Sequence, residues 1–390
     1  MEDYDVLNEM HSINQKIVML VEDDEKLFFD ISSFCEVMPL RFSYDLSNFS
    51  DSYIEKTKKL FSYYFNLENS YKNELLRLKK HFTHFSRFPF ILYISKSNNN
   101  YEIINSICED LNIECVTNKQ LFIKKIKNNR NIFLIDSDGT LKDSQGLISK
   151  QNINAIKRIK ESKDYAIICT ARPRYNAIQV MKESEASNYI ISFNGGEIYD
   201  LKNNKIIKAF FINKSIAYKI IKDCFELNLR LVISTDKFDF VTKEVRNASQ
   251  KILNNNYVEQ LRNYRIKTLM IIDKDKKKVN MYKHKLKNNK NIAIINEKGK
   301  TDKYYEEWFV VGNKKSNKGC ALINISNHLG IPIHNVIAIG NDYNDIPMLK
   351  ISGISFVVNN SDETIKKYAD YIVSSNEETP ILDMVNIIYK

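Results

Sequence analysis

Asn131-Ile132-Phe133-Leu134-Ile135 runs directly into Asp136-Ser137-Asp138-Gly139-Thr140. A short unbroken apolar run of this kind reads as a strand buried on both faces. The string after it gives the strand's carboxyl end two carboxylates spaced i, i+2 and a glycine that permits a tight turn. Apolar runs recur at Ala166 to Cys169, Tyr189 to Phe193, Val336 to Ile339 and Ser355 to Val358, separated by helical patterns. Strands alternating with helices predict an α/β fold with a doubly wound parallel sheet. Ligands of such sheets bind at the carboxyl ends of the strands, which is where Asp136 and Asp138 stand.

Three further strings carry polar groups. The run ending at Cys169 delivers Thr170-Ala171-Arg172, a hydroxyl and a cation. Ser316-Asn317-Lys318-Gly319-Cys320 opens an amphipathic helix, where a lysine opposes the macrodipole unless an anion lies close. The run ending at Ile339 delivers Gly340-Asn341-Asp342-Tyr343-Asn344-Asp345, several oxygen donors in close succession. Each string alone has a bland counterpart. An isolated D-x-D more often caps a turn, a strand-terminal threonine caps the next helix, Lys318 can join Lys314 and Lys315 in a solvated cluster, and acids suit a helix N-terminus.

Together the strings suit phosphoryl transfer. One ionised carboxylate attacks phosphorus while the other, protonated for part of the cycle, donates to the leaving oxygen. Thr170 can hydrogen-bond a phosphoryl oxygen. Mg²⁺ prefers hard oxygen donors and keeps several waters, so Asp136 plus one or two side chains after Gly340 would suffice. Such a cation screens the repulsion between carboxylate and phosphate.

In this order the four strings resemble the haloacid dehalogenase superfamily, and the layout is similar to its Cof-type sugar-phosphatase branch, with an α/β cap inserted after the second string. The resemblance covers about residues 131 to 378 and includes Asn194-Gly195-Gly196, Ile346-Pro347-Met348-Leu349, and Ala369-Asp370-Tyr371-Ile372-Val373 followed by Asn376. It implies that Asp136 is the nucleophile forming an aspartyl-phosphate and that Asp138 is first general acid, then general base. It also implies that Thr170 and Lys318 hold the phosphoryl oxygens, and that Arg172, Asn194, Gly195 and Asn344 contact substrate. Mg²⁺ would be held by Asp136, the backbone carbonyl of Asp138 and the fourth string. There the family's usual aspartate is Asn341, which removes one charge. Asp345 and Asp342 are therefore expected as the acidic partners of the metal, with activity retained. Ala171 in place of the family's usual glycine is a milder change.

The implied organisation is a catalytic core over 131–193 and 311–390, a cap over 194–310, and an N-terminal region over 1–130. The insert has strand-like runs at Ile206 to Ile212, Leu229 to Ser234, Phe238 to Thr242, Lys267 to Ile272 and Ile292 to Ile295. Residues 197–310 hold 25 basic and 14 acidic side chains against 17 and 19 in residues 1–130, so the insert carries essentially the whole net charge of +10. That charge either steers a phosphorylated substrate or, along Lys274 to Lys290, simply faces solvent. Nucleic acid is a weaker third reading, because no binding motif accompanies the charge.

Residues 1–86 are expected to be helical, from the spacing of Leu60, Tyr64, Leu67, Tyr71, Leu75, Leu78 and Phe82 in a long helix over 51–85, with Pro89 beyond it. Residues 88–130 read as β-α-β-α, either a small module or extra strands of the next sheet. All ten glycines lie at or beyond Gly139, although average usage of about 7% would put roughly ten in the first 138 residues. The N-terminal region is therefore expected to supply packing, a protein partner surface or self-association rather than a phosphate-cradling loop.

A composition of 43% hydrophobic and 27% charged residues is that of a globular protein rather than a fibrous or disordered one. No run approaches the roughly 18 apolar residues of a membrane span, and the acidic start (Glu2, Asp3, Asp5) lacks the features of a signal peptide. The six cysteines (Cys35, Cys108, Cys115, Cys169, Cys224, Cys320) show neither C-x-x-C nor zinc-ligand spacing. A cytoplasmic protein with reduced thiols and no membrane contact is expected. The expected function is a Mg²⁺-dependent phosphatase for a small phosphorylated metabolite, a sugar phosphate first. Its rivals are a regulatory or binding protein on a catalytically weakened scaffold, and a nucleotide or polynucleotide phosphatase.

Overall fold

The computed structural model describes residues 17–20, 36–39, 90–94, 101–111, 114–128, 130–242, 251–295 and 307–389. These fall into two compact units. One takes the described residues up to Ile132 with Ser326–Ile337 and Ile351–Ser355, and the other takes Phe133–Ile325, Ala338–Lys350 and those from Phe356 onward.

In the first unit, β1 (Ile17–Leu20), β2 (Glu36–Pro39), β3 (Phe90–Tyr93) and β4 (Glu114–Val116) form a parallel sheet in the order β2-β1-β3-β4. Helix α1 (Tyr101–Leu111) joins β3 to β4, and α2 (Lys119–Lys127) follows, its N-terminus capped by Asn118, whose side chain accepts from the Leu121 amide. The β-α-β-α pattern thus belongs to a sheet of its own. Strands β1 and β2 correct the expectation that residues 1–86 are helical. Four-residue runs are too short to show either period, and only pairing with β3 identifies them as strands. The long helix expected over 51–85 lies outside the described residues. Fully buried Lys125 fixes α2 by pairing with Glu114 and donating to Ser326 Oγ at 2.9 Å and the Ile331 carbonyl at 3.3 Å.

An eight-stranded sheet holds β5 (Ile132–Ile135), β6 (Tyr165–Cys169), β7 (Tyr189–Ser192), β8 (Glu197–Asp200) and β9 (Lys205–Ala209). It is completed by β16 (Val336–Gly340), β17 (Ile354–Val358) and β18 (Tyr371–Val373), in the order β18-β17-β16-β5-β6-β7-β8-β9. The pairs β6–β7 and β17–β18 are parallel, and all four residues of β5 are buried. The connecting helices are α3 (Lys150–Glu161), α4 (Arg174–Glu183), α8 (Lys318–Leu329), α9 (Ile346–Ile351), α10 (Glu363–Lys366) and α11 (Pro380–Ile388). Helix α3 shows how the sequence specifies them. Ser149 caps its N-terminus, and Asn152, Ala155, Ile156 and Ile159 bury one face at helical spacing.

Strands β8 and β9 pair antiparallel with β7 and with each other. The run Ile206 to Ile212, expected inside the insert, therefore supplies an edge strand of the eight-stranded sheet. Its side chains are half-buried or exposed, and apolarity alone does not say which sheet such a strand joins.

A third, six-stranded sheet begins only at β10 (Arg230–Thr235) and adds β11 (Asp239–Val241), β12 (Lys251–Ile252), β13 (Ile266–Asp273), β14 (Ile292–Ile295) and β15 (Glu307–Asn313), in the order β12-β11-β10-β13-β15-β14. With α5 (Lys214–Glu226), α6 (Tyr257–Leu261) and α7 (Lys276–Leu286) it has its own core, in which Ile220, Ile221 and Cys224 of α5 meet Leu231, Ile233, Leu269 and Ile271. Val279, Tyr282 and Leu286 turn α7 inward, which leaves Lys276, Lys277 and Lys285 exposed. Among the described residues no helix is long and apolar enough to cross a membrane. The five described cysteines are free thiols, and Cys35 lies outside the described residues.

Candidate active site

The carboxyl end of β5 delivers Asp136, which is 5% exposed. Lys318, the first residue of α8, is fully buried, and its Nζ donates to Asp136 Oδ1 and to Asp345 Oδ1, each at 2.5 Å. The other Asp345 oxygen accepts from the backbone amides of Asn341 at 2.9 Å and Asp342 at 3.0 Å, which locks the loop after β16. Three strings far apart in sequence are therefore tied by one lysine.

Burial pushes the Asp136 carboxyl up to about 7, reinforced by the Asp345 charge and opposed by Lys318. Burial also works against the Lys318 ammonium, but the charges of Asp136 and Asp345 outweigh it and hold Lys318 above its ordinary value.

Asp138, two residues on, is half-exposed, and Arg172 grips it with both ends of its guanidinium: Nε donates to Oδ2 at 2.6 Å and Nη2 to Oδ1. Thr170, at the end of β6, is 1% exposed. Its hydroxyl accepts from the Arg172 amide at 3.2 Å and its carbonyl accepts from the Asn194 amide at 3.1 Å. Asn344 Nδ2 donates to Asn194 Oδ1 at 3.2 Å, joining the fourth string to the turn after β7. Glycine is required at two of these approaches. A Cβ on Gly139 (φ +77°) would lie 2.3 Å from Asn341 Nδ2, and one on Gly195 (φ +87°) would lie 2.2 Å from the Asn317 carbonyl.

The geometry assigns two residues differently from the sequence. Asp345, expected as an acidic metal partner, has both oxygens engaged by Lys318 and the 341–342 amides, and so acts as an anchor. Arg172, expected on substrate, is engaged with Asp138. Asp342 Oδ1 accepts from the Tyr343 amide at 2.7 Å. Sequence reasoning missed Arg174, Glu197 and Lys267, a buried ionic cluster beside the turn at Asn194. A charged residue inside a strand of apolar neighbours, as in Ile266-Lys267-Thr268-Leu269, was the available signal, since such a charge must find a partner.

Among the described residues no group of three His, Cys, Asp or Glu side chains is placed to hold a metal. The oxygen donors that could hold one are the Asp136 carboxylate, the Asp138 carbonyl and Asn341 Oδ1, the last of which accepts from Thr140 Oγ1 at 3.2 Å. One carboxylate with neutral oxygens is an adequate set for Mg²⁺, which retains waters and takes further oxygens from a phosphate.

The sequence model of the haloacid dehalogenase-like hydrolase family matches residues 133–385. The 5-amino-6-(5-phospho-D-ribitylamino)uracil phosphatase YcsE of Bacillus subtilis is 26% identical over 247 residues, covering 63% of this chain and 91% of that protein. A putative phosphatase of Buchnera aphidicola (subsp. Baizongia pistaciae) is 28% identical over 266 residues, covering 65% and 96%. A haloacid dehalogenase-like hydrolase from Bacteroides thetaiotaomicron superimposes with a TM-score of 0.58 at 21% identity, covering 67% of this chain and all of that one. A subclass IIB sugar phosphatase does so with a TM-score of 0.56 at 17% identity, covering 66% and 99%. At these identities the solved structures establish likeness of fold.

Proposed function

The chain belongs to the haloacid dehalogenase-like hydrolases, and from that membership we propose that it is a Mg²⁺-dependent phosphatase that hydrolyses a small phosphorylated metabolite, a sugar or polyol phosphate, through a covalent phosphoryl group on Asp136. The observation that carries this reading is the fully buried Lys318 joined to Asp136 at the end of β5, with Asp138 two residues away. The named substrate of the Bacillus relative, a phosphorylated ribityl compound, supports the substrate class.

In the first step an Asp136 oxygen forms a bond to phosphorus, the bond from phosphorus to the ester oxygen breaks, and Asp138 gives its proton to the departing alcohol. In the second, a water oxygen attacks phosphorus, Asp138 takes the water's proton, and the bond to Asp136 breaks to release inorganic phosphate. Lys318 and the Thr170 hydroxyl stabilise charge on the phosphoryl oxygens. Arg172 orients Asp138, and Asn344, braced by Asn194, lies beside the phosphate. Asp136, the Asp138 carbonyl and Asn341 would hold Mg²⁺. When bound, the ion supplies positive charge that favours ionised Asp136 and screens its repulsion with the phosphate. The six-stranded sheet and its helices would form the cap.

Phosphate release from a panel of phosphosugars, polyol phosphates and nucleotides with Mg²⁺ tests this. The expected result is turnover that Asp136→Asn lowers by at least about 10³-fold. Absence of turnover, or turnover indifferent to that substitution, rejects it. Asn341 favours the second reading, a binding protein on a weakened scaffold, and failure to bind Mg²⁺ at millimolar concentration would support that alternative.

A further inference from the structure

The turn after β7 holds three successive left-handed residues, Phe193 (φ 52°), Asn194 (φ 56°) and Gly195 (φ 87°). Only glycine takes that conformation freely, and a bulky aromatic residue does so where its surroundings over-determine it. Two amides of the turn are fixed from the catalytic side, Phe193 to the Arg172 carbonyl at 2.9 Å and Asn194 to the Thr170 carbonyl at 3.1 Å.

A further restraint comes from the six-stranded sheet. Lys267 of β13 is 3% exposed, and its Nζ sits 4.9 Å from the centroid of the Phe193 ring while pairing with Glu197. Glu197, at the start of β8, is fully buried and also takes Arg174 in a bidentate pair, Nε to Oε1 at 2.5 Å and Nη2 to Oε2 at 2.6 Å. The Arg174 guanidinium in turn lies 4.4 Å from the Tyr199 ring centroid. Burial opposes ionisation of Glu197, but its bonds to Arg174 and Lys267 outweigh it and hold the carboxyl below its usual range. Burial pulls the Lys267 ammonium below its own. Apolar side chains of similar volume generally stabilise a protein as well as a buried ion pair does, so stability alone does not explain charges here. Their placement does: Lys267 touches both ends of the left-handed turn, the Phe193 ring before Asn194 and the Glu197 carboxylate after it.

We infer that Arg174, Glu197 and Lys267 form a clasp by which the six-stranded sheet sets the Phe193–Gly195 turn, so that Lys267 is a positioning residue acting through Phe193 and Glu197 to orient Asn194 beside Thr170 and Asn344. Its kinetic consequence rests on the phosphatase reading, and its structural consequence does not.

Hydrogen exchange on the full chain tests the clasp directly. Lys267→Met is expected to speed exchange of the Phe193 and Asn194 amides by about tenfold or more while the amides of β10 and β13 keep their protection. With p-nitrophenyl phosphate and Mg²⁺, the same variant is expected to raise KM about tenfold with kcat changed less than about twofold, and Lys267→Arg to restore KM. Should Lys267→Met fail to fold, Glu197→Gln, which keeps the volume and removes the charge, carries the same expectations. Wild-type exchange at Phe193 and Asn194 in a folded variant, or loss of protection confined to the six-stranded sheet, overturns the clasp. Faster exchange at the turn in a protein that releases no phosphate would keep the clasp and reject the phosphatase reading.

Discussion

Lys125 and Lys318 are both fully buried, one in the N-terminal sheet unit and one at the candidate active site, and they behave in opposite ways. Lys125 faces one carboxylate, Glu114, with a hydroxyl and a carbonyl beside it, and burial prevails, leaving its ammonium below the ordinary value. Lys318 faces two carboxylates at 2.5 Å, and their charge prevails over burial. Among the described residues the first cluster pairs one carboxylate with one ammonium, and the second, with both acids ionised, carries one negative charge in excess. An unbalanced charge in a dry place is costly unless a ligand completes it. The excess at Asp136 and Asp345 is what a site for a cation and a phosphate requires, whereas the balance at Lys125 is what packing requires.

Substituting each lysine would break or sharpen that contrast. Lys318→Met is expected to lower kcat/KM by at least about 10³-fold, about 4 kcal/mol of transition-state stabilisation. Lys125→Met leaves the Glu114 carboxylate with the Ile333 amide but without its cation and is expected to cost about 3–5 kcal/mol of unfolding free energy, with kcat/KM per folded molecule within about twofold of wild type. Urea unfolding and phosphate release normalised to the folded fraction measure both. If Lys125→Met lost activity in the folded state, or Lys318→Met kept it, the contrast would fail.

The sequence exposes these two lysines unequally, for a physical reason. Lys318 stands in one of four strings whose residue types at strand and helix ends suit one reaction, and β5, β6, β7, β16 and β17 were each readable as buried apolar runs. Lys125 looks like any lysine of an amphipathic helix, because its partners Glu114, Ser326 and Ile331 are distant in sequence or in another element. The same limit hid β8, the sheet that β9 joins, and the Glu197–Lys267 pair. What a short strand pairs with, and what a buried charge meets, are properties of the folded chain. The sequence reading put Asp345 on the metal, since an acid in a glycine-led loop serves equally as metal partner or as anchor and the string alone does not show what meets it. Its two occupied oxygens make it an anchor here.

The smallest expected effect bears on the charge excess itself. Asn341→Asp keeps an oxygen for the Thr140 hydroxyl and adds a carboxylate to the loop whose amides hold Asp345. Asp136 is already pushed up to about 7, so its contribution to stability is present below the unfolded carboxylate value and lost as pH rises through the folded one. A further negative neighbour pushes Asp136 higher still. The thermal midpoint of the metal-free variant should therefore fall more steeply than that of wild type between about pH 5 and 8. Millimolar Mg²⁺ should reverse the difference, because the same added charge tightens the cation by about tenfold, roughly 1.4 kcal/mol. Calorimetric titration and melting with and without Mg²⁺ read the two halves of this prediction separately. If the variant binds Mg²⁺ no more tightly than wild type, residue 341 does not face the cation, and the negative excess around Lys318 is offset without it.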